Sequence, residues 1–257
     1  MKRLILIACT LLAGAVPALA QTPTVDDLIA KNVASRGGAE KLKTINSRKV
    51  TGSVTVQLRM PPGAQPAEGQ QQPQSLQMNL QVVAKRPNLM LQEMTMQDRP
   101  VITAFDGQQA WALNPMIGTS PQLLQGTQAE MIRDQAQFDG PLAYARQRGD
   151  KMEVLGKEDV EGVSTWKVAI TRDDKVTTMY LDEKTGLERK VSATSNQGGT
   201  QMVIDSIISD YQPVEGIMVP RKVHTLVNGE TQALVQIDKV EFNVPIDDAR
   251  FKMPAQK

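Results

Sequence analysis

The feature that most constrains the fold is a series of short segments in which apolar and polar residues alternate. In the clearest of them, one side carries Val50, Val54, Val56, Leu58 and Met60. A period of two residues is typical of a β-strand with one buried face. Turn signals separate such segments along most of the chain, so about a dozen short antiparallel strands are predicted, as in a sandwich or barrel.

Two dipeptides place hairpins within this series. Asp106-Gly107 lies between the predicted strands 101–105 and 109–113, and Asn228-Gly229 lies between 219–227 and 231–242. The other strands are predicted at 50–60, 76–84, 89–97, 151–156, 164–171, 175–182, 187–194 and 201–211. Residues 61–75 are rich in Pro, Gly and Gln and are interpreted as a hairpin loop, because strands resume on both sides.

Two segments, 24–45 and 127–148, have helical periodicity instead. Leu28 and Ile29 lie on the apolar side of the first segment, and Ile132 lies on that of the second. A helix with one apolar side needs a surface to cover. The sequence therefore predicts a curved, half-closed sheet with these helices over its concave side, an arrangement that leaves room for a ligand.

The N-terminal residues have the pattern of a secretory signal peptide. A basic start is followed by a short apolar run and by the small-residue site Ala18-Leu19-Ala20, which predicts cleavage after Ala20. The apolar run is shorter than the ~20 residues that a spanning helix needs. Residues 1–20 are therefore assigned to the signal peptide, and residues 21–257 to a single domain.

Composition argues against several classes of function. Basic and acidic residues nearly cancel, 29 against 28, so no nucleic-acid partner is predicted. The sequence has one histidine, His224, no Gly-x-Ser-x-Gly motif, no zinc-ligand spacing and no phosphate-binding glycine loop. We therefore predict no enzyme activity, no metal and no cofactor.

Methionine is abundant, with 13 residues in the chain. Met90, Met94 and Met96 share one side of a predicted strand, and Met78 lies on the strand before it. Such a row is compatible with an ordinary core. It is equally compatible with a ligand surface, because thioether side chains adapt to variable apolar partners.

The stretch from Lys85 to Pro115 resembles a known family. Lys85-Arg86-Pro87-Asn88-Leu89, followed by Asp106-Gly107, Trp111 and Asn114-Pro115, is similar to the pattern of the LolA-like family, periplasmic carriers of the outer-membrane lipoprotein-sorting pathway. Residues 180–186, 210–220 and 243–251 look like the broader secreted branch of that superfamily.

The resemblance implies a mainly β fold, an incomplete antiparallel barrel of about eleven strands whose helices form a lid over an apolar cavity for acyl chains. It also implies that Arg86 is a latch that holds the lid shut. The family's rim aromatic residue corresponds to Met90. Leu28, Ile29 and Ile132 are then lid-helix residues, and the side chains expected to line the cavity or its rim are Met78, Met90, Met94, Met96 and Trp111, of which Trp111 also fits a place in the core.

The function predicted from the sequence is that of a monomeric periplasmic carrier or chaperone. Its cargo would be the acyl chains of lipoproteins or other envelope lipids, taken from an inner-membrane donor and passed to an outer-membrane acceptor. The alternative is an envelope lipid or lipoprotein sensor, or an interaction domain, without transfer activity.

Overall fold

Thirteen antiparallel strands form a single sheet in the computed structural model. The structure describes residues 22–58, 75–173, 175–197 and 200–255. The predicted signal peptide with its cleavage site, and nearly all of the predicted 61–75 loop, lie outside these residues. The strands are β1 (Ser47–Gln57), β2 (Ser75–Lys85), β3 (Leu89–Met96), β4 (Arg99–Phe105), β5 (Ala110–Leu113), β6 (Gln122–Leu123), β7 (Lys151–Val160), β8 (Val163–Arg172), β9 (Lys175–Asp182), β10 (Glu188–Gln197), β11 (Thr200–Val214), β12 (Ile217–Val227) and β13 (Glu230–Phe242).

The order of the strands explains how the sheet is assembled. Neighbours in the sheet are neighbours in the sequence, except that β1 pairs with β13 and so joins the two halves. The sheet ends at β6 on one side and at β7 on the other, so the barrel is open. The predicted mainly β, incomplete antiparallel barrel is confirmed, with thirteen strands. The unpredicted strand, β6, has two residues and is too short to show a period.

The helices also follow the sequence signals. They are α1 (Val25–Ser35), α2 (Ala39–Lys43), α3 (Gly126–Gln135) and α4 (Pro141–Arg148), and a 3-10 turn follows at Asp248–Phe251. Thr24 and Asp27 form a reciprocal capping box at the start of α1. Gly140, with φ of 89°, separates α3 from α4, and Pro141 is the first residue of α4.

Both predicted hairpins are present. Phe105 pairs with Ala110 around the first, where the Asp106 carboxylate accepts the backbone N–H groups of Gln108 and Gln109. Asn228 and Gly229 have φ of 51° and 81°, as in the two-residue turns that match the twist of a hairpin.

The helices cover one face of the sheet, which we call the concave face. Leu28 of α1 and Leu142 of α4 pack on strands β8 and β9 in one buried cluster, and Ile132 of α3 packs on Met90 and Phe105 in another. The opposite face carries a separate cluster built around Trp111, beneath the 3-10 turn. Within the described part of the chain, no helix is long and apolar enough to cross a membrane.

Candidate functional site

A cavity of about 280 Å³ lies between the concave face and the helical segments. Its floor is formed by strands β2, β1, β13 and β12. Its roof, as we use the term below, consists of α2, Ile45 and the turn at residues 138–139. The lining residues are Arg36, Leu42, Ile45, Arg48, Val50, Leu80, Val82, Arg86, Phe138, Asp139, Ile217, Val219, Pro220, Ile237, Val240 and Phe242.

The floor is apolar because three neighbouring strands present valine at the same level. Val50 of β1 pairs with Val82 of β2 on one side and with Val240 of β13 on the other. All three therefore point to one face, since residues directly opposite each other in a ladder share a face. The cavity floor offers aliphatic surface and no polar partner at this level.

A β-bulge shapes the floor next to these valines. The register between β1 and β13 shifts between Thr51 and Gly52. A Cβ atom at Gly52 would come within 2.0 Å of the Gln236 carbonyl oxygen, so the close approach of the two strands requires glycine. The resulting bend helps the sheet to curve around the cavity.

Arg86 ties both parts of the roof to the sheet. Its Nε donates to the carbonyl of Ile45 at 2.6 Å, and its Nη2 donates to the carbonyl of Leu42 at 3.0 Å. Its Nη1 forms an ion pair with the carboxylate of Asp139, in the turn between α3 and α4. The planar guanidinium can make these contacts at once, which a lysine could not.

The roof carries one aromatic ring between two cations. The guanidinium carbon atoms of Arg48 and Arg86 lie 4.9 and 4.7 Å from the centroid of the Phe138 ring. Arg36, at the end of α1, is a further cation of the lining, and it approaches the Asp139 carbonyl at 3.5 Å. The lining thus contains three arginines against one aspartate and is positively charged.

Arg48 is the least compensated of these charges. Burial, together with the nearby charges of Arg36 and Arg86, lowers the pKa of its guanidinium to about 10, while Asp139 acts in the opposite direction. Because this pKa is still well above neutral pH, Arg48 is charged at pH 7. None of the residues described in the structure forms a hydrogen bond or ion pair with its side chain.

Arg86 is the one predicted site residue that lines the cavity. Met78, Met94 and Met96 are partly buried on the same face of the sheet, and Met94 pairs with Leu80, which is a lining residue. They continue the apolar surface of the cavity without lining it. Their role in holding cargo remains a proposal.

Met90 and Trp111 lie elsewhere. Met90 faces the concave side but is only 6% exposed, because α3 covers it through Ile132. Trp111 is on the opposite face, where its indole N–H donates to the Phe251 carbonyl at 2.7 Å. Trp111 is therefore a core residue and does not line the cavity, since its position on β5 is out of phase with the concave face.

The predicted lid-helix residues anchor helices instead of lining the cavity. Leu28 is buried and Ile29 partly buried in the cluster beneath α1 and α4. Ile132 is buried beneath α3. Both contacts hold the helices on the sheet on either side of the cavity.

Several lining residues were not predicted, and one of them had a sequence signal. Arg48 is in phase with the apolar side of β1, two residues before Val50, which marks an inward-facing charge. The lining residues of β12 and β13 had no such signal, because the pairing of β1 with β13 joins residues about 190 positions apart.

The cavity lining contains no histidine. Over the described ranges, no group of three or more His, Cys, Asp or Glu side chains could hold a metal ion. A ring nitrogen of His224 lies 2.9 Å from the Thr231 hydroxyl, and His224 is not a lining residue of the cavity. The arrangement offers an apolar, positively charged cavity beneath a roof that Arg86 ties to the sheet.

Sequence comparison identifies no relative: no family model matches the chain, and no curated protein matches it. Solved structures do resemble it. A LolA superfamily protein of Nitrosomonas europaea is 14% identical, with a TM-score of 0.60, and the match covers 90% of this chain and 98% of that one. A DUF1329 family protein of Desulfovibrio piger is 12% identical, with a TM-score of 0.61 over the same shares.

A third similar structure is named for lipoprotein sorting. This is an outer-membrane lipoprotein-sorting protein domain of Vibrio parahaemolyticus, 9% identical with a TM-score of 0.57, and the match covers 89% of this chain and 95% of that one. At sequence identities this low, the similarity is one of fold and not of function. Taken with the open sheet, the covering helices and the cavity between them, these structures show that the chain adopts the LolA-like fold.

Proposed function

We propose that this protein is a periplasmic carrier that binds the acyl chains of lipoproteins or other envelope lipids in the cavity. The observation that carries the proposal is the apolar cavity itself, about 280 Å³ between the concave face and the roof. At about 30 Å³ for a group the size of a water molecule, it has room for roughly nine methylenes. Binding, and not chemistry, is the activity that we assign.

The energy of such binding comes from removing the chain from water. Each buried methylene contributes about 0.8 kcal/mol, so nine contribute roughly 7 kcal/mol before the cost of ordering the chain. Met78, Met94 and Met96 extend the apolar face beyond the cavity and would receive longer chains. The cargo would be taken from an inner-membrane donor and passed to an outer-membrane acceptor.

The roof must lift for cargo to enter, and Arg86 favours the lowered roof, so its contacts help to expel cargo when an acceptor is offered. Arg86→Leu removes two hydrogen bonds to roof carbonyls and the ion pair with Asp139. Hydrogen bonds of a charged group contribute about 1.5–3 kcal/mol each. We expect hydrogen-exchange protection of residues 39–45 to fall by at least tenfold, and cargo to be retained when an acceptor is offered.

Lys85→Leu is the matched control for this variant. Lys85 precedes Arg86 on β2 but pairs with Asp248 of the 3-10 turn, away from the roof. It should leave protection of residues 39–45 and cargo transfer unchanged. Equal protection in the two variants would refute the latch.

The cargo itself is tested by native mass spectrometry of the protein purified from its own periplasm, followed by lipid identification. We expect co-purifying acylated molecules, and Val82→Phe should reduce their amount because the new ring takes up part of the cavity. Protein that carries no lipid, and that binds no added ten-carbon amphiphile, would refute the proposed function.

A further inference from the structure

The charge of the cavity restricts which amphiphile fits it. Among the lining side chains, Arg86 is paired with Asp139, while Arg36 reaches only the carbonyl of the same residue. Arg48 has the Phe138 ring beside it and no hydrogen-bond or ion-pair partner among the residues that the structure describes. A partly buried charge without a partner of opposite sign is costly, so this position favours a ligand that brings a negative charge.

The position of Arg48 decides which part of the ligand it would meet. Arg48 lies on β1 between Ala84 of β2 and Phe242 of β13, and the next residue on the same face is Val50 of the floor. The guanidinium is therefore at the end of the apolar floor that lies beneath the roof. An acyl chain along the floor would place its terminal group, and not its methylenes, against Arg48.

The neighbouring charges do not cancel this preference. Arg36 and Arg86 are the cations nearest to Arg48 in the lining, and Asp139 is the only carboxylate there, already engaged by Arg86. The Arg48 guanidinium lies over the face of the Phe138 ring. This cation–π contact positions the side chain at the cavity but does not neutralise its charge. A carboxylate or phosphate could accept two hydrogen bonds from the free guanidinium.

From this geometry we propose that the cavity selects single-chain anionic amphiphiles, with the Arg48 guanidinium binding the anionic head group and the valine floor binding the chain. The inference rests on the proposed function and narrows its cargo from lipoproteins or other envelope lipids to the single-chain anionic lipids among them. It applies equally to a fatty-acid carboxylate and to a phosphate ester, because both present two acceptor oxygens on one anionic group.

The test compares ligands of one chain length by isothermal titration calorimetry at pH 8 with the delipidated protein. Decanoate and decyl phosphate should bind about ten- to hundredfold more tightly than decan-1-ol, the difference typical of hydrogen bonds to a charged group. Decyltrimethylammonium should bind more weakly than the alcohol. The tighter of the two anions identifies the head group, and inorganic phosphate alone should bind far more weakly than either.

Variants assign the preference to Arg48. Arg48→Met should bring the affinities for decanoate and decan-1-ol within about threefold of each other, because the charged donor is gone. Arg48→Lys should keep part of the preference, since it retains the charge without the fork of donors. Arg250→Met is the control: it removes one exposed positive charge from the 3-10 turn and should leave the ratio unchanged.

The outcomes separate this inference from the proposed function. Equal affinity of the wild-type protein for decanoate and decan-1-ol would overturn the anion preference and leave acyl binding intact. Inorganic phosphate binding as tightly as decyl phosphate would also overturn it. If Arg48→Met does not fold, the ratio measured on the wild type and on Arg48→Lys still decides, whereas no binding of any ten-carbon ligand would refute the proposed function instead.

Discussion

Two adjacent valines of β2 allow a direct test of whether the cavity is hollow. Val82 lines the cavity, while Val83 is 1% exposed on the opposite face, in the cluster that contains Leu91 and Trp111. The two residues have the same side chain, the same strand and neighbouring positions. Replacing each with phenylalanine therefore changes one variable, the space that the new side chain meets.

The two variants should differ in how the substitution changes the free energy of unfolding. Phenylalanine adds four carbon atoms to valine, at most about 120 Å³ at the ~30 Å³ of a water-sized group, which is less than half of the cavity's volume of about 280 Å³. The free energy of unfolding of Val82→Phe should therefore stay within about 1 kcal/mol of wild type or rise. Val83→Phe enters packed surroundings and should lower it by about 1–3 kcal/mol.

Ligand binding should respond in the opposite way. Losing four methylene positions to the new ring costs a bound chain about 3 kcal/mol, which corresponds to roughly hundredfold weaker binding of decan-1-ol to Val82→Phe. Val83→Phe, where it folds, should bind as the wild type does. The measurements are urea unfolding followed by far-UV circular dichroism, and calorimetry of the delipidated proteins.

The reasoning is refuted if Val82→Phe is destabilised as much as Val83→Phe, because the space above Val82 would then be filled by the protein. It is also refuted if Val82→Phe keeps wild-type affinity for decan-1-ol. A stable variant with weakened binding is the combination that a preformed cavity requires.

Two further predictions concern residues of the sheet that do not line the cavity, Trp111 and Glu158. Trp111→Phe removes the indole donor of the buried Phe251 carbonyl and should lower the free energy of unfolding by about 1–3 kcal/mol without changing ligand affinity, as measured by urea unfolding and calorimetry. The hydrogen bond from Lys167, together with the charge of Lys190, lowers the pKa of the Glu158 carboxyl. The ionised carboxyl therefore stabilises the fold above its ordinary pKa, and this stabilisation is lost as the pH falls through the lowered pKa. Glu158→Gln should therefore cost about 0.5 kcal/mol at pH 7, the scale of an exposed ion pair, and nothing at a pH below the lowered pKa; a pH-independent loss would contradict this.

The sequence predicted the parts of the fold that depend on local patterns. Alternation located twelve of the thirteen strands, and the turn dipeptides Asp106-Gly107 and Asn228-Gly229 located two hairpins. These signals lie within a few residues of the structure they specify. β7 continues to Val160, beyond the predicted end at 156. Its turn is formed by Glu161 and Gly162, which have positive φ, whereas the predicted strand ends at the earlier Gly156.

The site was predicted less completely, because it depends on which strands meet. Arg86 was identified through the resemblance of its motif, and the geometry places it in the lining. Alternation correctly placed Met78 and Met94 on one side of their strands. The period of a strand gives the faces of its residues but not what covers each face, so it could not show that α3 buries Met90.

The helices over the concave face are anchored unequally, and the weakest anchoring is at α2. α1 buries Leu28 and also binds the turn after β9, where Asn32 donates to the Gly186 carbonyl at 2.9 Å. α2 has five residues and buries none of them. The residues that flank it are tied to the sheet: the Arg36 carbonyl accepts the Met218 N–H, and the Asn46 N–H donates to the Asn243 side chain. α2 itself is held by Arg86, which donates to the Leu42 carbonyl, and by the buried Ile45 just beyond its end. Because local opening begins where few apolar contacts are lost, α2 can lift while α1 and the sheet stay in place. We therefore propose that α2 is the part of the roof that moves, and that the hydrogen bonds of Arg86 hold it in the closed position.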